Sequence, residues 1–153
     1  MKCCNRVQQG KNVLSQHVDY LKRYCDDQGQ SMKDRVKEVQ FNKDTPYQEY
    51  VNLYQTFAAM QAFKAVKIFE DALASGDKDM FDVYLNQVPY SLTTLAVAFG
   101  EVFYLESFQR RLSHLSCEKT KRVFYDIGTL FAVWNIIDTR IGDFRESDLL
   151  SSD

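Results

Sequence analysis

The sequence predicts an all-α protein, an antiparallel helical bundle, and three observations carry that prediction. Apolar and aromatic residues recur at three- and four-residue spacing over long runs. The two prolines and six glycines fall mostly between those runs. The connections between runs are short, which turns consecutive helices back on one another. With 153 residues, 45% of them apolar and 14% aromatic, the chain can bury one real core, as one domain or part of one.

The first helix is predicted from Val13 to Cys25, where Leu14, Val18, Leu21 and Cys25 share a face. That stripe is narrow, as suits a helix leaning on a larger body. Residues 26–44 are polar and weakly periodic, with Gly29, Ser31 and several lysines, and predict a mobile surface connection. Thr45-Pro46-Tyr47-Gln48 then opens a long helix, with threonine as cap, proline at the first helical position and glutamine three residues after the cap. Tyr47, Tyr50, Val51, Tyr54, Phe57, Ala58, Ala62, Ala65, Phe69, Ala72 and Leu73 line one face of it as far as Ser75, with Gly76 as terminator.

Asp77 is expected to cap a shorter helix to about Val88, with Phe81, Tyr84, Leu85 and Val88 aligned and Pro89 ending it. Ser91 should cap a third helix to about Leu115, pointing Leu92, Leu95, Phe99, Val102, Phe103 and Leu112 inward. A fourth runs from near Cys117 to Ile141. Its stripe is Val123, Phe124, Ile127, Leu130, Phe131, Trp134, Ile137 and Ile141, and Gly142 is its expected terminator. Rows of this kind are packing surfaces first, so the stripes are predicted to bury one another in a single bundle.

Composition excludes several functions. A net charge of −2 with both signs interspersed offers no broad basic face for nucleic acid. Lys119-Thr120-Lys121-Arg122 reads as a solvated helix start. Cys3, Cys4, Cys25 and Cys117 form no C-x-x-C pair and no cysteine–histidine spacing for zinc, so no metal is expected and the thiols read as reduced and intracellular. His17 and His114 read as packed or capping residues. The amino terminus lacks a signal-peptide apolar stretch, and Val83–Gly100 carries too many polar residues to make a membrane span. No glycine-rich phosphate loop, catalytic carboxylate pair or nucleophile elbow occurs.

Longer segments resemble a known family. Tyr50 to Asp77, with Phe63-Lys64-Ala65-Val66-Lys67-Ile68-Phe69-Glu70, resembles the long first helix of the second carboxyl-terminal α-domain of acyl-CoA oxidases. Leu95-Ala96-Val97-Ala98-Phe99-Gly100-Glu101-Val102-Phe103-Tyr104-Leu105-Glu106-Ser107-Phe108 is similar to the family's next helix. Phe124-Tyr125-Asp126-Ile127-Gly128-Thr129-Leu130-Phe131-Ala132-Val133 is similar to the one after it, and Asp138 to Asp148 to its exit. Gln9-Gly10-Lys11-Asn12 resembles the Glu-Gly-Asp-Asn turn that carries the family's catalytic base.

The resemblance implies a division into residues 1–25, a remnant of the first carboxyl-terminal α-domain, residues 26–44, a linker, and residues 45–153, an incomplete second carboxyl-terminal α-domain. It implies the family's chemistry for a complete enzyme: acyl-CoA is oxidised to trans-2-enoyl-CoA by bound FAD, and oxygen becomes hydrogen peroxide. That reaction removes an α-proton while a hydride leaves the β-carbon, so a carboxylate must reach the α-carbon. Gln9 stands at that position and has the shape of glutamate without its basicity. Gly10 and Asn12 match the turn near flavin and substrate, and Lys11 replaces an aspartate. No FAD is expected on this chain alone, and whether it is an enzyme stays open. A homodimer or other self-association is implied, as is a peroxisomal setting, although Ser151-Ser152-Asp153 is not a Ser-Lys-Leu type address. The alternative is a non-catalytic helical scaffold or interaction module derived from the family.

Overall fold

The computed structural model describes residues 20–21, 45–75, 79–86, 88–147 and 149–150, to which the following statements apply. The helices are α1 (Tyr47–Ala74), α2 (Met80–Asn86), α3 (Pro89–Ser113), α4 (Glu118–Asn135) and, after a π-helical turn at Ile136–Arg140, α5 (Ile141–Glu146). Among the described residues there is no strand, so the all-α expectation holds. The predicted helix Val13–Cys25 lies outside the described residues except for Tyr20 and Leu21, which form a 3₁₀ turn.

Two compact units divide these residues. One holds Tyr20, Leu21 and Ala58–Gly100; the other holds residues 45–57 and those from Glu101 onward. In the first, Phe69 of α1, Val83 of α2 and Val88 form a core flanked by Ile68, Ala72, Leu73 and Leu92. The Tyr20 ring lies 6.2 Å from that of Phe99.

In the second unit, side-chain pairings fix the helix directions. Gln109 donates to Gln48 and Gln55 donates to Glu106, both at 2.7 Å, so positions rising along α1 meet positions falling along α3. Phe108 meets Phe124 and Glu101 meets Arg140, so α3 also runs against α4. The Tyr47 amide donates to the Tyr125 hydroxyl and the Tyr54 hydroxyl to the Ala132 carbonyl, each 78 residues on, so α1 and α4 run the same way. Gly128 permits this approach: a Cβ there would lie 2.9 Å from Tyr47 Cε2 and closer still to the Phe108 ring. Tyr54 and Phe57 close the unit against Phe144 of α5, the latter pair stacked at 4.6 Å.

Several local expectations are corrected. Pro89 opens α3 instead of ending α2, because the first helical turn leaves its amides unpaired and a residue without one is at no disadvantage there. The Val88 carbonyl accepts from the Leu92 amide at 2.9 Å, which makes Val88, not Ser91, the residue before the helix. Asp79 caps α2 by accepting from the Asp82 amide at 2.7 Å; Asp77 lies outside the described residues, as does the expected terminator Gly76. Gly142 stands inside α5, where the helix simply continues. Gln48 closes no capping box; it bonds to Asn52 and Gln109 while Tyr125 caps α1 from across the unit.

Two helix faces also turn out differently. On α2, Val83 is buried while Phe81, Tyr84 and Leu85 are exposed. On α3, Val102 and Leu112 are buried as expected, but Ala98 and Leu105 join them and Phe103 points outward. The largest correction concerns α4. Its whole predicted stripe, Val123, Phe124, Ile127, Leu130, Phe131, Trp134, Ile137 and Ile141, is 39–65% exposed. The buried face is instead Gly128, Ala132 and Ile136. Periodicity identified a stripe but not its partner: small residues let α4 sit close to α1, whose tyrosines fill the space between them, and the bulky row is left facing away.

Candidate functional site

Gln9, Gly10, Lys11 and Asn12, the residues singled out by sequence, lie outside the described residues, as does His17. What the described residues do assemble is a half-buried polar cluster in an apolar setting. Glu101 is the single charged residue between Asp82 and Glu106, and Arg140 the single basic one between Arg122 and Arg145. The π-helical turn brings Arg140 inward. Its Nε donates to Glu101 Oε1 at 3.1 Å and its Nη1 to Asp143 Oδ2 at 3.0 Å. The guanidinium also lies 5.9 Å from the centre of the Phe57 ring.

Electrostatics follow from that enclosure. Burial pushes Glu101 above the usual carboxylate range, against the charge and hydrogen bond of Arg140, which pull it down, while Asp143 adds to the rise. Burial works against the charge on Arg140, but Glu101 and Asp143 outweigh it and hold the guanidinium protonated more firmly than usual. The Tyr54 hydroxyl is raised by burial and by the nearby Glu101 charge, and it stays neutral as a donor to Ala132. Glu101 Oε2 is buried without a hydrogen-bond partner. A general base must reach a substrate proton. Here one carboxylate oxygen is occupied by the guanidinium and the other is enclosed, so the cluster is suited to tying α3, the π turn and α5 together rather than to proton transfer. The sequence signal for it was present: one acid alone in a long uncharged run, and one base alone in a run that holds no other.

Two grooves open on the same unit. The first is lined by Gln48, Val51, Gln55, Glu106, Gln109, Arg110 and Ser113, the second by Ser107, Arg110, Arg111 and His114. His114 is exposed in the turn after α3, neither packed nor buried. Both grooves are open and lined chiefly by polar side chains, and neither offers the flat apolar walls a flavin ring would need. Neither of these two grooves fits FAD. Among the described residues no group of histidine, cysteine or carboxylate side chains could hold a metal ion. Cys117 is a free, exposed thiol just before α4, lowered in pKa first by the Thr120 hydroxyl and then by the amides of Thr120 and Lys119. No single helix among the described residues is long and apolar enough to cross a membrane.

Comparison with known proteins gives one positive result. The sequence model of a family described as acyl-CoA oxidase matches residues 46–153, which takes in every helix from α1 to α5. No curated protein and no solved structure matches the chain.

Proposed function

Because this chain belongs to the acyl-CoA oxidase family, we propose that it serves that family's reaction as a helical scaffold and does not carry out the chemistry by itself. The reaction is the oxidation of an acyl-CoA to its trans-2-enoyl form with FAD, in peroxisomal fatty-acid β-oxidation, with oxygen reduced to hydrogen peroxide. The match over residues 46–153 supports the lineage. The observation that carries the scaffold reading is the closed, largely enclosed Glu101–Arg140–Asp143 cluster, in which the guanidinium already occupies the carboxylate.

Gln9 stands at the position of the family's glutamate, with Gly10 and Asn12 as the neighbouring turn. An amide there takes no α-proton, and losing a general base costs roughly 10²–10⁴-fold in rate. FAD and acyl-CoA are therefore partners of the complete family enzyme, and a second copy is the partner of this chain.

The test is to dialyse the wild-type and Gln9→Glu chains with FAD, add a medium-chain acyl-CoA, and measure retained flavin absorbance and peroxide. Neither chain is expected to keep flavin or to form peroxide. Stoichiometric flavin in either, or peroxide appearing with the glutamate variant, would place the chemistry in this chain and overturn the scaffold reading.

A further inference from the structure

Residues 107–122 hold five of the chain's 19 lysines and arginines but one of its 21 acidic residues, although the chain as a whole is slightly acidic. Between Glu106 and Glu118 there is no acid at all. Arg110, Arg111 and His114 stand three, four and seven residues beyond Ser107, the spacing that brings four side chains to one face of a helix. These four line the second groove, a hollow of about 440 Å³ at the carboxyl end of α3.

The two arginines have no acid to answer them. Neither is paired with a carboxylate among the described residues, in contrast to Arg140, which holds two. Glu106, the nearest acid in sequence, accepts from Gln55 at 2.7 Å. The dipole of α3 favours cations in its last turn, which explains arginines there. It does not explain a hollow that a hydroxyl and an imidazole line as well. Nor do the terminal carbonyls of α3 stand free to repel an anion: that of Arg110 accepts from the Ser113 hydroxyl at 2.7 Å, that of Arg111 from the His114 amide at 3.1 Å, and that of Leu112 from the Leu115 amide at 3.2 Å.

The chemistry of the lining narrows the ligand. A guanidinium presents a planar fork of donors that matches the oxygens of a phosphate, and a serine hydroxyl and an imidazole N–H each add a donor. Two positive charges side by side suit a doubly charged group, and a phosphate monoester carries close to two negative charges at neutral pH where a diester carries one. No Phe, Tyr or Trp lines the groove, so it holds no aromatic ring on which a nucleic-acid base would stack. Its volume lies within the roughly 300–1,000 Å³ of small-molecule sites and leaves room for the group that bears the phosphate. We propose that the groove of Ser107, Arg110, Arg111 and His114 binds a phosphate monoester, with the two guanidinium groups clamping the dianion and the serine hydroxyl donating to it. The proposal rests on four side chains at the end of one helix and stands whether or not the chain takes part in acyl-CoA chemistry. A soluble monoester and a phosphorylated lipid headgroup present the same group, and the experiment separates them.

The experiment is isothermal titration of the full chain at low ionic strength with inorganic phosphate, O-phosphoserine, dimethyl phosphate and a short single-stranded oligonucleotide without a terminal phosphate. Beside it, the chain is sedimented with phosphatidylcholine vesicles that carry or lack phosphatidylinositol 4-phosphate. Inorganic phosphate and O-phosphoserine should bind one site with a dissociation constant on the order of 1 mM, as a few solvent-exposed charged hydrogen bonds allow, and dimethyl phosphate about tenfold more weakly. Arg110→Gln and Arg111→Gln should each weaken both monoesters about tenfold. Arg110→Lys, which keeps the charge and loses the fork, should weaken them by roughly threefold or more. Lys119→Gln, outside the groove, should weaken them by less than about twofold. All of these positions are exposed, so far-UV circular dichroism should report an intact fold in every variant. With the monoesters bound, retention on vesicles that requires the phosphorylated lipid assigns the group to a headgroup, and no retention assigns it to a soluble ligand. No saturable uptake of either monoester, dimethyl phosphate bound as tightly, arginine variants that bind as well as wild type, Lys119→Gln as damaging as Arg110→Gln, or the oligonucleotide bound more tightly than the monoesters would each overturn the proposal.

Discussion

Replacing Gly128 by alanine should destabilise the protein, although the same change elsewhere in these helices should stabilise it. Alanine in place of glycine in a helix interior gains about 0.5–1 kcal/mol, largely by restricting the unfolded chain. At Gly100 nothing lies within 4 Å of the position a Cβ would take, so the full gain is expected. At Gly128 the new methyl would come 2.8 Å from Phe108 Cδ1 and 2.9 Å from Tyr47 Cε2. Neither ring can easily yield, since Tyr47 is almost fully buried and packs on both Phe108 and Tyr125, at centroid distances of 6.0 and 5.9 Å. Overpacking of this kind costs typically 1–3 kcal/mol. The cost exceeds the gain, leaving Gly128→Ala about 0.5–2 kcal/mol less stable than wild type. For a chain of this length that lowers Tm by roughly 1–8 °C, while Gly100→Ala raises it by roughly 1–4 °C. Urea denaturation followed by far-UV circular dichroism, with thermal melts alongside, measures both. If Gly128→Ala stabilised as much as Gly100→Ala, the close approach of α4 to α1 and α3 would be refuted.

Removing the guanidinium should be costly in a pH-dependent way. With the Glu101 and Arg140 side chains only 12% and 11% exposed, Arg140→Met strands a buried carboxylate and should lose about 3–5 kcal/mol at neutral pH. Glu101 is already raised in the folded state, and losing Arg140 raises it further. The penalty is therefore full above the folded-state pKa and fades as pH falls to the unfolded carboxylate value of about 4.3; a variant less stable at pH 4.5 than at pH 7 in urea titrations would contradict this. Cys117 should react with iodoacetamide at neutral pH faster than Cys117 in the Thr120→Ala variant, because the threonine hydroxyl favours the thiolate. Peptide mapping by mass spectrometry follows that one site, and equal rates would remove Thr120 as the cause.

Much of the helical order was legible because long runs at helical spacing admit few other readings, and Thr45-Pro46 marked the start of α1 without any tertiary information. Local signals failed where two roles share one residue type. Proline both ends and begins helices, and only the position of its missing amide distinguishes Pro89 as a beginning. Glycine terminates a helix or admits a neighbour, and Gly128 and Gly142 each sit within helical runs. The face of α4 was the deepest miss. A stripe of Phe, Ile and Trp reads as core, while its actual inner face, Gly128 and Ala132, is too small to announce itself; what fixes that face is the bulk of Tyr47, Tyr54 and Phe108 on other helices. The Glu101–Arg140 tie was hidden for a related reason, since a charge alone in an apolar run has no visible partner until a π turn aims one at it. The resemblance carried by Leu95–Phe108 and Phe124–Val133 agreed with the family match over residues 46–153.

Trp134 is the chain's one tryptophan, so its fluorescence reports on the outer face of α4 without labelling. In the Leu130→Lys chain, held apart by the added charge, the account predicts the red emission of a hydrated indole, open to acrylamide quenching. In the wild type the emission should move to the blue and quenching should fall as concentration rises and a second copy covers this face. A blue, unquenchable signal in the Leu130→Lys chain would contradict the central claim, because it would put Trp134 in the interior of the fold and leave no apolar face for a second copy to cover.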